Sequence, residues 1–303
     1  MSDGHSHASA AMANRSKLCI VLCLSLSIVL AQLVGAWLSG SLALLADAVH
    51  IFADAFGIAI ALIAVTVASR PTKPQRTFGL YRLEILATVA NGLILLALAV
   101  FILWQAVGRW FNPVHVTPGI MIAAAVYGVI VNLISFRILQ SGATESLTVK
   151  GAYLEVMSDM IGSIGVVVAG IVVLTTGYDR ADSIVSVFIA LFMIPRILML
   201  LRDSFGVLME NAPTGLDLDE VRQHLSEVEG VVAVHDLHAW TITSGMPSLS
   251  AHVIVDPDPF QNGQGTRILD ELNECVHDCF EIGHTTFQLE AAEHAAHEEP
   301  RHP

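Results

Sequence analysis

The chain has 303 residues and a mass of 32.5 kDa; 54% of it is hydrophobic, only 14% is charged, and its mean hydropathy is +0.64. Such values exclude a soluble globular protein and a disordered chain. Charge is unevenly divided: residues 1–202 hold 12 Lys and Arg against 9 Asp and Glu (net +3), and residues 203–303 hold 3 against 19 (net −16), with no clustered basic stripe, so a cation is a better-matched partner than a nucleic acid.

Residues 1–17 are polar, carry His5 and His7, and read as a flexible arm. The apolar run after Lys17 is too long for a signal-peptide core and ends in no small-residue cleavage site, so it is read as a retained membrane helix. Six stretches are long enough to cross about 30 Å of hydrocarbon. They are Leu18 to Leu38, Leu42 to Ala68, Leu83 to Val107, Gly119 to Leu139, Ala152 to Thr175 and Ala181 to Leu201, and they predict a six-helix transmembrane bundle over residues 18–203. Breaks fall at Ser39-Gly40-Ser41, the Pro71/Pro74 loop, Asn112-Pro113 with Pro118, Gln140 to Lys150, and Thr176 to Arg180.

An even number of spans puts both termini on one side. Arg15, Lys17, Arg70, Lys73, Arg76, Arg82, Arg137, Lys150, Arg196 and Arg202 lie at one set of ends and only Arg109 and Arg180 at the other, so the positive-inside rule assigns both termini to the cytoplasm. Trp104, Trp110, Phe111 and Tyr178 suit an aromatic belt at the opposite interface. Cys19 and Cys23 in the first span are expected to face lipid or pack as thiols in a reduced protein.

Beyond Gly206 the pattern shortens. Helical spacing over Asp217 to Glu229 and Thr266 to Phe280, with strand-like alternation over Val231 to Thr243, Leu249 to Val255 and Thr285 to Leu289, predicts an α+β domain over residues 206–290, a sheet backed by two helices. Cys275 and Cys279 are expected to pack one helix face against that sheet, and His224 and His277 to face solvent. The tail, residues 291–303, is polar and expected to be disordered; its His294, His297 and His302, like His5 and His7, fit either weak metal capture or unselected polar tails.

Ionisable side chains are costly at mid-bilayer, and this chain concentrates them. Span two carries Asp47, His50 and Asp54 at i, i+3 and i+7, along one helical face, and span five carries Glu155 and Asp159 four apart. Two facing helices with an i, i+4 pair each can surround one ion. His50, Asp54, Glu155 and Asp159 would offer one nitrogen and three carboxylates, a set suited to Zn²⁺ and also to Co²⁺, Cd²⁺, Mn²⁺ or Fe²⁺. Inter-helix hydrogen bonding, or a proton relay without metal, fits the same residues. Asp47, one turn before His50, fits an outer acceptor for that histidine or a cation relay, and Gln32, Asn91 and Asn132 fit hydrogen bonds between helices. Metal ligands must be deprotonated, so protonation of this set would eject an ion, with an imidazole the most responsive group at ordinary pH.

These segments resemble the cation diffusion facilitator family of divalent-metal exporters, in particular its zinc, cobalt and cadmium efflux branch. The resemblance rests on GSLALLADAVHIFADAF in span two, RTFGLYRLEILA entering span three, GAYLEVMSDMIGSIGV in span five, and VHDLHAW, SAHVIVD and HTTFQLE in the soluble part, covering residues 40–290. It implies a cytoplasmic ferredoxin-like, metallochaperone-like α+β domain, a homodimer, and proton-coupled export by alternating access. The family's transport pairs fall on His50/Asp54 and Glu155/Asp159. Glu155 departs from the His or Asp usual in zinc-selective members and hardens the site. The loop from Ser69 to Tyr81 has no His, Asp, Glu or Cys, so no metal is expected there; Arg82 and Glu84 fit the family motif as a structural pair. By match, a regulatory metal in the soluble domain would use His235, His252, His284 and Glu290, with His238 beside them.

The expectation is therefore a multi-pass antiporter of a bacterial inner membrane exporting Zn²⁺, with Cd²⁺ and Co²⁺ as further substrates, against protons. No nucleophile elbow, phosphate loop or nucleotide motif occurs, so neither enzymatic activity nor a catalytic cofactor is expected. Two rivals are a membrane-anchored metal sensor and a passive divalent-cation channel.

Overall fold

A computed structural model describes residues 15–68, 77–140, 147–256 and 263–295. Outside them lie most of the N-terminal arm with His5 and His7, most of the loop expected to hold no metal, and the tail from residue 296 with His297 and His302. The described chain divides into two compact units, Met1–Ser69 with Ala87–Leu201 and Arg70–Leu86 with Arg202–Pro303.

Six helices occupy the apolar part: α1 (Arg15–Ser39), α2 (Leu42–Ala68), α3 (Arg82–Phe111), α4 (Pro118–Gln140), α5 (Leu147–Thr176) and α6 (Arg180–Leu208). Five of them, all but α2, are long and apolar enough over the described residues to cross a membrane. The remaining predicted span is the 27-residue α2 itself. Their outer faces are apolar, with Leu30, Trp37, Phe188 and Phe192 exposed, while Gln32, Asp47, His50, Asn132 and Asp159 are buried. That inverts the pattern of a soluble protein and suits a hydrocarbon surround, so the chain is a multi-pass membrane protein.

Helices α1, α2, α4 and α5 pack on one another. Helices α3 and α6 meet where Leu201 lies over Gly92, so closely that a Cβ there would stand 2.7 Å from the leucine methyl. The turn between α1 and α2 is fixed at Gly40, whose φ of 73° favours glycine. Asp182, near the start of α6, closes the first turn of α2: it accepts from Ser41 Oγ at 2.5 Å, Leu42 N at 2.7 Å and Ala43 N at 3.1 Å. Arg109 lies 3.6 Å from the same carboxylate and donates to the Gly40 carbonyl at 2.6 Å.

The second unit runs α7 (Leu218–Ser226), β1 (Val231–Thr241), β2 (Pro247–Val255), α8 (Gly265–Phe280), β3 (His284–Glu290) and the short α9 (Ala292–Ala295). The sheet order is β1-β2-β3, antiparallel between β1 and β2 and parallel between β2 and β3. Asp217 caps α7 through its bond to Asp219 N at 2.9 Å. One face of the sheet, with Val234, Leu237, Leu249, Ala251 and Val253, packs on Val221 and Leu225 of α7 and Ile268, Leu272 and Val276 of α8.

A bulge interrupts β1 between His235 and His238, at Asp236 with φ of 48°, a left-handed conformation that Asp tolerates. The extra residue keeps Val234 and Leu237, three apart, on the covered face and leaves His235 and His238 together on the other.

Three expectations are corrected here. Arg82 does not pair with Glu84: it donates to Glu210 at 2.7 Å, and Glu84 accepts from Thr243 Oγ1 at 2.5 Å. Cys275 and Cys279 do not both pack on the sheet, because the buried stripe of α8 is Ile268, Leu272 and Val276, leaving Cys275 half-buried and Cys279 exposed. Burial, then its neighbour Cys279, pushes the Cys275 thiol above its usual range. His277 is exposed, whereas His224 is half-buried with its ring 5.3 Å from Phe280, edge to face.

Candidate metal centres

In the first unit, α2 and α5 bring His50, Asp54 and Asp159 together. One ligand atom from each lies within 4.8 Å of the others, and all three residues are buried. The pair spacing on α2 and the crossing of α2 against α5 suffice to place them. His50 Nε2 stands 3.6 Å from Asp159 Oδ1, too far for a hydrogen bond. Asp159 Oδ1 is buried and accepts no hydrogen bond among the described residues. A buried carboxylate oxygen facing an imidazole nitrogen, with no donor filling its lone pairs, is suited to a cation.

Glu155 lies at the edge of this cluster rather than within it. Its Oε1 accepts from Arg196 Nη2 at 2.9 Å, and the same guanidinium reaches Asp54, with Nη2 3.1 Å from Oδ1 and Nη1 3.3 Å from Oδ2. Arg196 belongs to α6, four residues after Phe192, whose ring meets that of His50 edge to face at 6.5 Å. The charge count along the helix ends treats Arg196 as an orientation signal and so misses it. What marks it out in the sequence is its distance from the end of the span, six residues before Arg202, directly after the in-helix Pro195.

Asp47 is fully buried one turn before His50. Its Oδ2 accepts from Gln32 Nε2 at 2.6 Å and Ser163 Oγ at 2.7 Å, while Oδ1 has no hydrogen bond among the described residues. That oxygen fits only because residue 162 is glycine, where a Cβ would come within 2.7 Å of it. Gln32 thus bridges α1 to α2, whereas both polar atoms of the buried Asn132 side chain lack partners among the described residues.

The second unit holds a further group, His235, His252 and Glu290, again with ligand atoms within 4.8 Å of one another. His235 and His252 are register partners in β1 and β2, and their rings meet edge to face at 5.2 Å. Glu290 pairs with Ile254, two residues beyond His252 and so on its face. Its carboxylate lies 3.2 Å from His235 Nε2 and 2.8 Å from His252 Nδ1, and Gln288 Nε2 donates to it at 2.7 Å. His238 instead faces Asp236 at 3.1 Å, and Asp236 also lies 3.9 Å from His252 Nε2. His284 does not join the cluster. It stands beside Ser248, four residues along β2 from His252, and its exposed ring contacts Phe78 at 5.7 Å.

A family model described as the cation efflux transmembrane domain matches residues 18–209, and one described as the cation efflux protein cytoplasmic domain matches residues 213–292. The chain is 42% identical over 296 residues to the metal cation efflux system protein CzcD of Cupriavidus metallidurans, covering 96% of this chain and 91% of that protein. It is 35% identical over 294 residues to the cadmium, cobalt and zinc/H(+)-K(+) antiporter of Bacillus subtilis, covering 96% and 93%. The zinc transporter ZitB of Escherichia coli is 35% identical over 295 residues, with the same two coverages of 96% and 93%. A solved metal-bound C-terminal domain of the CzcD transporter, 39% identical, covers 25% of this chain and 99% of its own, with a TM-score of 0.22. Matched from end to end of its membrane part and through its soluble part, the chain belongs to the cation diffusion facilitator family, in its zinc, cobalt and cadmium efflux branch.

Proposed function

We propose that the protein exports divalent metal cations from the cytoplasm in exchange for protons, with Zn²⁺ the principal substrate and Cd²⁺ and Co²⁺ also carried. The observation that carries this reading is the convergence of His50, Asp54 and Asp159 inside the helical bundle, with a carboxylate oxygen of Asp159 left without a donor. One nitrogen and two carboxylates form a Zn²⁺-compatible set, and Glu155 supplies the fourth ligand from the edge of the cluster. Cation binding requires the imidazole and carboxylates to be proton-free, and reprotonation weakens it, so ion and protons exchange at one place. The relatives named for cadmium, cobalt and zinc transport support these substrates.

The acidic unit is proposed as a cytoplasmic, ferredoxin-like sensing domain through which two copies of the chain associate, with both termini cytoplasmic and the whole seated in a bacterial plasma membrane. Its His235, His252 and Glu290 would hold a regulatory ion, with His284 outside the ligand set. No catalytic step is assigned to any residue.

The test is uptake of Zn²⁺, Cd²⁺, Co²⁺ and Mn²⁺ into vesicles reconstituted with the full chain under an imposed pH gradient. Wild-type uptake that requires the gradient, and that is lost in Asp54→Ala and in Asp159→Ala, is the expected result. Flux persisting in both variants would move the site elsewhere, and a wild type that moves no metal would favour the anchored sensor.

A further inference from the structure

The three contacts of Arg196 are the least accounted for in the membrane unit. A guanidinium always carries its charge, and this one is directed into the acidic cluster, gripping both oxygens of Asp54 and one of Glu155. Asp54 is also one of the three residues whose ligand atoms converge with His50 and Asp159. Its carboxylate is therefore claimed by two cations. A bidentate hold by an arginine occupies the lone pairs that a metal would use.

Charge makes the same point. Asp54, Glu155 and Asp159 sum to −3 when His50 is neutral, and Arg196 reduces this to −2 in the absence of metal. Three uncompensated carboxylates are costly in such surroundings, so the arginine stabilises the empty site and an arriving divalent ion takes over that neutralisation. The helix is also built to let the side chain move. Pro195 immediately precedes Arg196 within α6, and an in-helix proline removes one backbone hydrogen bond and leaves that turn deformable. Arg196 itself is 44% exposed, against 9% for Asp54 and 29% for Glu155, so it has room to withdraw.

We propose that Arg196 is a tethered counter-cation of the transport site, holding Asp54 and Glu155 when no metal is bound and competing with the metal for them. This rests on the transport-site reading given above. Metal loading proceeds by release of the guanidinium from Asp54 and Glu155, which frees Glu155 to join the ligand set. Return of the guanidinium helps to expel the ion at the end of the cycle. Arg196 is thus a positioning residue that sets affinity and release, and it does not touch the metal.

The experiment is Zn²⁺ uptake by full-length chain in vesicles, with KM and Vmax measured for wild type, Arg196→Gln, Arg196→Lys, Glu155→Gln and the Arg196→Gln/Glu155→Gln double variant, and with Asp159→Ala as control. Removing one positive charge beside the site lowers KM for Zn²⁺ by roughly ten-fold and lowers Vmax as well, because release slows. Glu155→Gln turns the arginine wholly onto Asp54 and raises KM. In the Arg196→Gln background Glu155→Gln has no arginine to redirect and raises KM by less than it does alone, so the KM of the double variant falls below the product of the two single effects, the non-additivity expected of groups in contact. Arg196→Lys keeps the charge without the bidentate fork and lies between wild type and Arg196→Gln. A merely structural ion pair predicts otherwise: Arg196→Gln would leave KM unchanged or raise it, and the two single effects would add. Either result overturns the proposal. Should Arg196→Gln fail to fold, Arg196→Lys decides, since an unchanged or raised KM there contradicts competition by the bidentate guanidinium. A silent wild type, or full flux in Asp159→Ala, instead overturns the transport site itself and the proposal with it.

Discussion

Asp159 and Glu290 illustrate two ways for a buried carboxylate to exist. Glu290 is 3% exposed yet well served, with His235, His252 and Gln288 within 3.2 Å of its oxygens. Asp159 is 2% exposed and has one oxygen with no donor among the described residues. The first arrangement is stable without an ion, so metal binding there means exchanging hydrogen bonds for ligation; the second gains from an ion directly. In the full chain, Asp159→Asn should cost at least about 100-fold in metal affinity at the membrane site, and Glu290→Gln roughly 10- to 100-fold at the soluble one. Equilibrium dialysis with Zn²⁺ should then find one class of site lost in each variant and both lost in the double variant. Loss of both classes in either single variant would mean that the two clusters are one thermodynamic unit.

Among the elements, α2 depends on a residue from α6. Asp182 accepts from Ser41, Leu42 and Ala43 and faces Arg109, so it satisfies the first-turn donors of the helix that carries His50 and Asp54. Asp182→Ala leaves those amides without their acceptor and a guanidinium without its counter-charge and should destabilise the detergent-solubilised protein by about 2–4 kcal/mol, read as a lower thermal unfolding temperature. An unchanged midpoint would show that water caps the helix equally well. Much of this level was legible in the sequence. The six apolar runs, the order helix, strand, strand, helix, strand, and the shared face of Asp47, His50 and Asp54 follow from length and periodicity, which are local properties. Long-range register is not local. Pairing of His235 with His252 depends on how β1 and β2 align, and the presence of His238 on the same face depends on the bulge at Asp236, which strict alternation cannot foresee. His284 matches the family motif yet lies four residues, about 13 Å, along the sheet from His252. By charge counting Arg196 reads as an end charge, because such a count ignores where a long side chain points.

Taken whole, the molecule joins an apolar, slightly basic part to an acidic one, net +3 against net −16, and among the described residues each part contains one convergent set of His and carboxylate groups. An acidic unit draws divalent cations toward itself and is expected to do so less as salt rises. Raising ionic strength from about 0.05 to 0.5 M should therefore increase KM for Zn²⁺ while leaving Vmax nearly constant; a salt-independent KM would remove any collecting role from the acidic unit. The deeper claim is that ion and protons trade places on one ligand set, and it is tested most directly by running the exchange backward. Vesicles holding the full chain and a trapped pH dye, with no initial pH difference, receive an outward or inward Zn²⁺ gradient while lumenal pH is recorded. The expected result is proton movement opposite to Zn²⁺, absent in Asp159→Asn. Zn²⁺ flux with no change in lumenal pH would identify a channel and contradict exchange at His50, Asp54, Glu155 and Asp159.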